Sequence, residues 1–394
     1  MRLPTMFPDM VAAIDRRTPH PEDFTSPARG PRTTARLGIW VGVLFGICFL
    51  TGIWSHYQYT SPGWLPIGPN PSWLYRVTQG LHVASGTAVI PLLLVKLWSV
   101  FPRLFIRPPT APKALVREGL ERASIAVLMA AGLFQLVSGT LNVVQWYPWE
   151  FSFRPTHEAV AWIVIGGILV HIAVKLPVIR DAYSGGSADD DESRGSDGPS
   201  RRAVLVGAGS ASALAVLLTA GQTVPFLRRV SVFGVRDGEG PQDLPVNRTA
   251  RAAGAIDGAT DPDFALELRH GSRTVRLSRA QVAALPQRTH RLPITCVEGW
   301  SRNATWTGVA VRDLLALVDA APASVVKVSS MQTRGAFSRS ELPADFASDP
   351  RTLLALELNG EPLSLDHGYP CRIIAPNRPG VFQTKWVSSL EVGA

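Results

Sequence analysis

The residues best equipped for chemistry in this chain are its three cysteines and eight histidines. Cys296 stands alone in "PITCVEGWS" (293–301), between an apolar run and a glycine. A thiol in that setting has four readings. It is a small buried hydrophobe, half of a disulfide with Cys371 in an oxidising compartment, a nucleophile served by a histidine base, or a thiolate ligand to a soft metal. His270, His290 and His367 are the histidines of the same region, and spacing alone sets none of them beside Cys296. Cys48, Cys296 and Cys371 form no CxxC or finger-type spacing, and three cysteines are too few for a disulfide framework.

A second set of histidines lies in apolar surroundings. His82 falls early in the run 77–101, and His157 and His171 fall in the run 157–178. Ionisable residues inside such runs are costly and mark function by default. His157 and His171 are fourteen residues apart, about 21 Å of helical rise and nearly four whole turns, so they share a face at two depths. His82 and His157 both fall toward the same end of their helices. That pair predicts axial ligation of one b-type haem within a helix bundle, with His171 or His56 as the alternative ligand.

These residues need elements to carry them. The chain has 394 residues, 46% hydrophobic and only 18% charged, the latter below the roughly 25% of ordinary soluble domains. Five apolar runs, at 37–54, 77–101, 123–147, 157–178 and 203–223, each approach the roughly 20 residues that cross hydrocarbon. The segments flanking these runs alternate in charge. Lys and Arg number six before residue 37, five in 102–122 and four in 179–202, against one each in 55–76 (Arg76) and 145–156 (Arg154). The positive-inside rule then puts the N-terminus in the cytoplasm and everything after residue 224 outside it. The net charge of +8 is accounted for by topology, so no nucleic-acid partner is expected.

The composition predicts five segments. Residues 1–36, rich in Pro, Arg and Thr, read as a disordered cytoplasmic tail. Residues 37–180 form a four-helix transmembrane domain. Residues 181–202 are a flexible acidic linker, including "SGGSADDDESRGSDGPSRR". Residues 203–224 are a fifth, anchoring helix, and 225–394 a mixed α+β domain. In that last domain "FALELRH", "SVVKVSS" and "LLALELNG" read as strands, "SRAQVAALP" and "VAVRDLLALVD" as helices, and Ser278 as an N-cap.

The segment "LPITCVEGWSRNATWTGVAVRDLLALV" (292–318) resembles the cysteine loop of the sulfite-oxidase family of molybdopterin enzymes. The later "LLALELNGEPLSLDHGYPCRIIAPNRPGVFQTKWVSSLEV" (353–392) resembles the pterin-binding part of the same family, in matching order and spacing. The arrangement resembles that of bacterial methionine-sulfoxide-reductase-type catalytic subunits, here joined to a cytochrome-b-like membrane domain. The resemblance implies a Mo-molybdopterin cofactor with Cys296 as the protein's thiolate ligand and catalytic residue. It further implies that Asn247, His367, Arg372, Gln383, Thr384 and Lys385 bind the pterin, the last three holding its phosphate end, while Cys371 is core.

Those implications give a functional expectation. The chain is a membrane-bound molybdopterin oxidoreductase that transfers oxygen to or from a small or protein-borne substrate outside the cytoplasm. Lipid and quinone are its membrane partners, and electrons are exchanged with quinone through the helical domain. Reduction of an S-oxide or N-oxide is the leading direction. Sulfite-type oxidation is the alternative, and a non-catalytic redox or binding module is the reading from another class. Finally, "SRRAVLVGAG" (200–209) resembles a twin-arginine export signal inside the chain, with Arg201 and Arg202 as its pair, which makes the twin-arginine machinery an expected partner.

Overall fold

The computed structural model describes residues 19–20, 23–24, 26–106, 109–184, 198–234 and 240–393. Most of the expected tail and most of the acidic linker lie outside the described residues. Among the described residues, five helices are long and apolar enough to cross a membrane: α1 (Pro31–Thr60), α2 (Leu74–Val100), α3 (Pro112–Val143), α4 (Phe153–Ser184) and α5 (Arg201–Ala220). Helix α1 starts six residues before its apolar run. Pro31 opens it, as suits a residue with preset φ and no N–H to leave unpaired. It ends at Thr60, where Ser61 turns left-handed (φ 43°) just before Pro62. Pro112 opens α3 in the same way.

Contacts divide the chain into two units. The first comprises Met1–Phe49, Ala84–Asn142 and Tyr147–Val216. Its interior is small: Leu37 and Val41 of α1, Leu92 of α2 and Ala208 of α5 form one buried cluster. The Ser212 hydroxyl of α5 donates to the Ala88 carbonyl of α2 at 2.8 Å, tying those helices together. Glu121 of α3 and Lys175 of α4 form an ion pair between those two helices. Large apolar side chains point outward instead, among them Val127, Leu169 and Val206, all more than half exposed. Helices that are apolar on their outer faces are built for lipid rather than water.

The second unit comprises Leu50–Val83, Val143–Trp146 and Leu217–Ala394. It therefore holds the end of α1 and the start of α2 along with the C-terminal domain. Short helices α6 (Ala250–Ala253), α7 (Ile256–Thr260), α8 (Arg279–Ala283), α9 (Val311–Ala316) and α10 (Ala344–Ser348) surround two five-stranded sheets. One sheet has the order β2-β1-β10-β5-β6, from Arg273–Ser278, Ala265–His270, Val387–Val392, Val326–Ser330 and Arg339–Leu342. Only β1 and β10 run parallel in it. The other has the order β3-β4-β7-β8, from Arg288–Thr295, Ser301–Ala310, Leu353–Leu358 and Glu361–Pro362, with β9 (Arg372–Ile374) also paired to β7.

The expected strands "FALELRH", "SVVKVSS" and "LLALELNG" are β1, β5 and β7, and the two expected helices are α8 and α9. Ser278 caps α8 in a full capping box with Gln281. The observed class is the one read from the sequence: a helical membrane bundle followed by an α+β domain. Two of the domain's three buried clusters hold its cysteines. Leu266, Leu314 and Cys371 belong to one, and Leu292, Cys296, Trp300 and Trp306 to the other. Their separate placement, with both thiols free, leaves no Cys296–Cys371 bond.

Candidate active site

The hairpin of β3 and β4 positions Cys296. The strands pair in register from Arg288↔Gly308 to Thr295↔Ser301, so residues 296–300 must turn within five residues. The Cys296 N–H donates to the Trp300 carbonyl at 3.0 Å, and the Gly299 N–H to the Cys296 carbonyl at 3.1 Å. Gly299 has φ +96°, a conformation that glycine adopts without a Cβ clash. At the base of the turn the Thr295 and Ser301 hydroxyls share a 2.8 Å hydrogen bond. Trp300 donates its indole N–H to Glu298 at 2.9 Å. Cys296 is buried, and burial with the nearby Glu298 holds its thiol well above the ordinary range. Such a thiol is a poor free nucleophile, whereas a metal cation would draw off its proton.

The cleft in front of Cys296 is lined by Asn247, His367, Arg372 and Lys385, with Leu244, Pro245, Ile294, Trp300 and Gly380. His270 and His290 are elsewhere: the ring of His270 bonds the Val318 carbonyl at 3.1 Å, and His290 pairs with Trp306 across the β3–β4 ladder. His367 ends a short 3-10 turn whose cap is the Ser364 hydroxyl. Its Nε2 donates to the Pro241 carbonyl at 2.7 Å. Burial, then the Arg372 charge, lower it to about 4, so the ring is neutral.

Arg372 gives the cleft its electrical character. It is 1% exposed on β9, donating to the carbonyls of His367 (3.0 Å) and Gln383 (3.1 Å), and its guanidinium lies 5.1 Å from the Trp306 ring centroid. Its Nε has no partner among the described residues, and burial lowers the guanidinium to about 9. Lys385 donates to the carbonyls of Arg248 and Asp366, each at 2.8 Å, and burial with Arg372 lowers it to about 7. Two cations share one cleft, and their hydrogen bonds go to neutral backbone carbonyls. A buried charge in that state calls for an anion.

Of the seven residues expected to bind the cofactor, the cleft gathers Asn247, Cys296, His367, Arg372 and Lys385. The side chains of Gln383 and Thr384 turn away from it. Gln383 donates to the carbonyls of Ala375 and Arg378, and Thr384 bonds the Ser340 hydroxyl at 2.7 Å. Gln383 acts through its backbone, by accepting from Arg372. Sequence reasoning missed Trp300, Ile294, Leu244 and Gly380. Trp300, four residues from Cys296 and closing the same turn, carried the one local signal that pointed to it.

The histidines of the helices have their own settings. Nδ1 of His82 lies 3.3 Å from the Thr51 hydroxyl, and a Cβ on Gly52 would stand 3.2 Å from its ring. Nδ1 of His157 lies 3.0 Å from the Ser138 hydroxyl, and a Cβ on Gly139 would stand 3.5 Å from its ring. The same arrangement, a hydroxyl residue followed by a glycine on the preceding helix, thus serves both rings. Holding Nδ1 is how a histidine is oriented to present Nε2 to a metal.

Comparison with known proteins defines the class. Residues 254–394 match the oxidoreductase molybdopterin binding domain, and residues 31–176 match the prokaryotic cytochrome b561 family. The C-terminal domain thus belongs to the molybdopterin oxidoreductases and the N-terminal one to the cytochromes b561, fused in one membrane protein. Mitochondrial sulfite oxidase of Drosophila melanogaster is 29% identical over 33% of the chain and 27% of its own length. The catalytic subunit MsrP of protein-methionine-sulfoxide reductase from Xanthomonas axonopodis pv. citri is 36% identical over 27% of the chain and 37% of its own length. An uncharacterized oxidoreductase of Bacillus subtilis, YuiH, is 32% identical over 29% of the chain and 57% of its own length. The chain therefore spans between about a quarter and a little over half of these relatives.

The cofactors of the two domains are Mo-molybdopterin and b-type haem. The residues of the C-terminal cleft fit the first. Among the described residues no group of three or more His, Cys, Asp or Glu could hold a metal ion. The cleft offers a thiol beside Arg372 and Lys385, whose hydrogen bonds go to backbone carbonyls, as a phosphate-bearing pterin requires.

Proposed function

We propose that the chain reduces an S-oxide or N-oxide outside the cytoplasm with electrons from membrane quinol. The observation that carries this reading is the cleft that sets Cys296 beside Arg372 and Lys385, supported by the fusion to a cytochrome domain. Molybdenum, when bound, supplies two-electron oxygen-atom transfer. Cys296 would be its protein ligand. Arg372 and Lys385 would hold the anionic end of the pterin, Asn247 would contact the pterin, and neutral His367, anchored on Pro241, would orient the adjacent backbone. His82 and His157 would ligate the haem iron. Purified protein that contains neither molybdenum nor pterin would instead favour a binding module.

Lys385 gives this reading a pH signature. In the free cleft it titrates at about 7, and a bound anion raises it. Binding then takes up a proton wherever the free lysine is neutral. Affinity is therefore full below about pH 7 and falls as pH rises above it, by about tenfold per unit at most. Reconstitution of cofactor-free protein, titrated between about pH 6 and pH 9, should follow that slope. Affinity that stays level across the range would remove Lys385 from the anion site.

The membrane orientation we infer has the N-terminus in the cytoplasm and the C-terminal domain outside, by the distribution of Lys and Arg. A pterin made in the cytoplasm requires the domain to fold before it crosses. The paired Arg201 and Arg202 at the start of α5, after Ser200 whose hydroxyl accepts from the Ala203 N–H, suit a twin-arginine signal. Changing both arginines to lysine preserves the charge. The expected result is a C-terminal domain shielded from external protease, whereas wild-type exposure would reduce the pair to a positive flank.

A further inference from the structure

Seven residues, Val297 to Asn303, carry the cysteine turn into β4, and α2 grips them. The buried Gln79 donates its side-chain N–H to the Val297 carbonyl at 3.0 Å, immediately beside Cys296. Gly299 fits against the helix so closely that a Cβ there would stand 2.6 Å from Val83. Arg76 donates to the Asn303 side chain at 3.2 Å and to the Thr223 carbonyl at 2.9 Å, and Thr223 in turn donates its hydroxyl to the Gly299 carbonyl at 2.6 Å. All these residues belong to one compact unit.

Gln79 is an expensive choice for a mere packing residue. Its side-chain oxygen is buried with no partner among the described residues, and an apolar side chain of the same volume would avoid that cost. It also stands three residues before His82, on the same face of α2. From Cys296 the connection is two residues of backbone, one hydrogen bond, the Gln79 side chain and one turn of helix to His82.

We propose that this face of α2 is the electron-exchange contact of the cysteine loop, with the Gln79–Val297 hydrogen bond as its conducting link. The inference rests on the function proposed above and on His82 as a haem ligand. A quinol gives up two electrons and two protons as it becomes quinone. The electrons cross the Gln79–Val297 contact one at a time, and the S-oxide takes both with two protons to yield the thioether and water.

The experiment uses full-length, detergent-purified protein. The haem is reduced, dimethyl sulfoxide is added, and reoxidation of the haem band is timed. Turnover driven by reduced methyl viologen, which reaches molybdenum from solution, is measured in parallel with haem and molybdenum content. Gln79→Met removes the donor at similar volume and should slow haem reoxidation about tenfold, with both cofactors retained and viologen-driven turnover unchanged. Gln79→Lys keeps a donor of sufficient reach and should restore most of the rate. The proposal is overturned if Gln79→Met reoxidises at the wild-type rate, if Gln79→Lys is as slow as Gln79→Met, or if Arg76→Met slows the band as much without touching Val297. Failure of the wild-type haem to reoxidise with any oxo-substrate is a different result. It would sink the functional reading and this inference with it.

Discussion

Cys296→Ser protein is expected to fold, to keep its haem absorbance and to lose turnover by about a hundredfold or more. Serine fits the space, because the turn is made by the backbone: the N–H of residue 296 bonds the Trp300 carbonyl, and Gly299 supplies the left-handed residue. A hydroxyl in that buried cluster costs about 1–3 kcal/mol against the domain's stability, too little to unfold it. What changes is the donor atom, since a hydroxyl is a harder and poorer electron donor than a thiolate. The check is turnover at matched molybdenum loading, with circular dichroism for the fold. Near-normal turnover of the loaded serine variant would remove Cys296 from the metal.

The second large effect concerns the haem. His82→Ala and His157→Ala are each expected to abolish the Soret band of the purified chain, while His56→Ala and His171→Ala retain it. Each favoured ring has its Nδ1 against a hydroxyl, Thr51 or Ser138, and its edge against a glycine, Gly52 or Gly139. His171 stands instead near Lys96, Lys175 and Glu121, all of which act on its charge. Optical spectra of the four variants, purified with equal protein recovery, decide the matter. An intact Soret band in both His82→Ala and His157→Ala would move the iron to His171 or His56.

Much of this architecture was legible in the sequence, because it rests on local patterns. Long apolar runs announced the five helices, short β-prone runs announced β1 and β5, and Ser278 announced the start of α8 through the chemistry of its own side chain. The cleft was legible only through resemblance. Nothing in the spacing of Asn247, Cys296, His367, Arg372 and Lys385 reveals that two sheets and three turns bring them together. Gln383 and Thr384 show the limit of position-by-position transfer: they stand next to the right residue, but their side chains satisfy buried carbonyls and a hydroxyl elsewhere. The grip of α2 on the cysteine loop was illegible, since Gln79 and Val297 are 218 residues apart and each looks ordinary in its own segment. Composition draws a boundary at the end of the membrane domain, whereas packing groups the start of α2 with the domain that follows α5.

The most direct test of the whole account is the redox state of the haem in anaerobic, detergent-purified, full-length protein. The haem is first reduced with a quinol, and S-oxides, N-oxides and sulfite are then offered in turn. The account predicts that quinol reduces the Soret and α bands and that an S-oxide or N-oxide reoxidises them, two electrons for each oxygen removed, with sulfite inert. Haem that stays reduced with every oxide, but becomes reduced when sulfite is added to the oxidised protein, would contradict the proposed direction of electron flow.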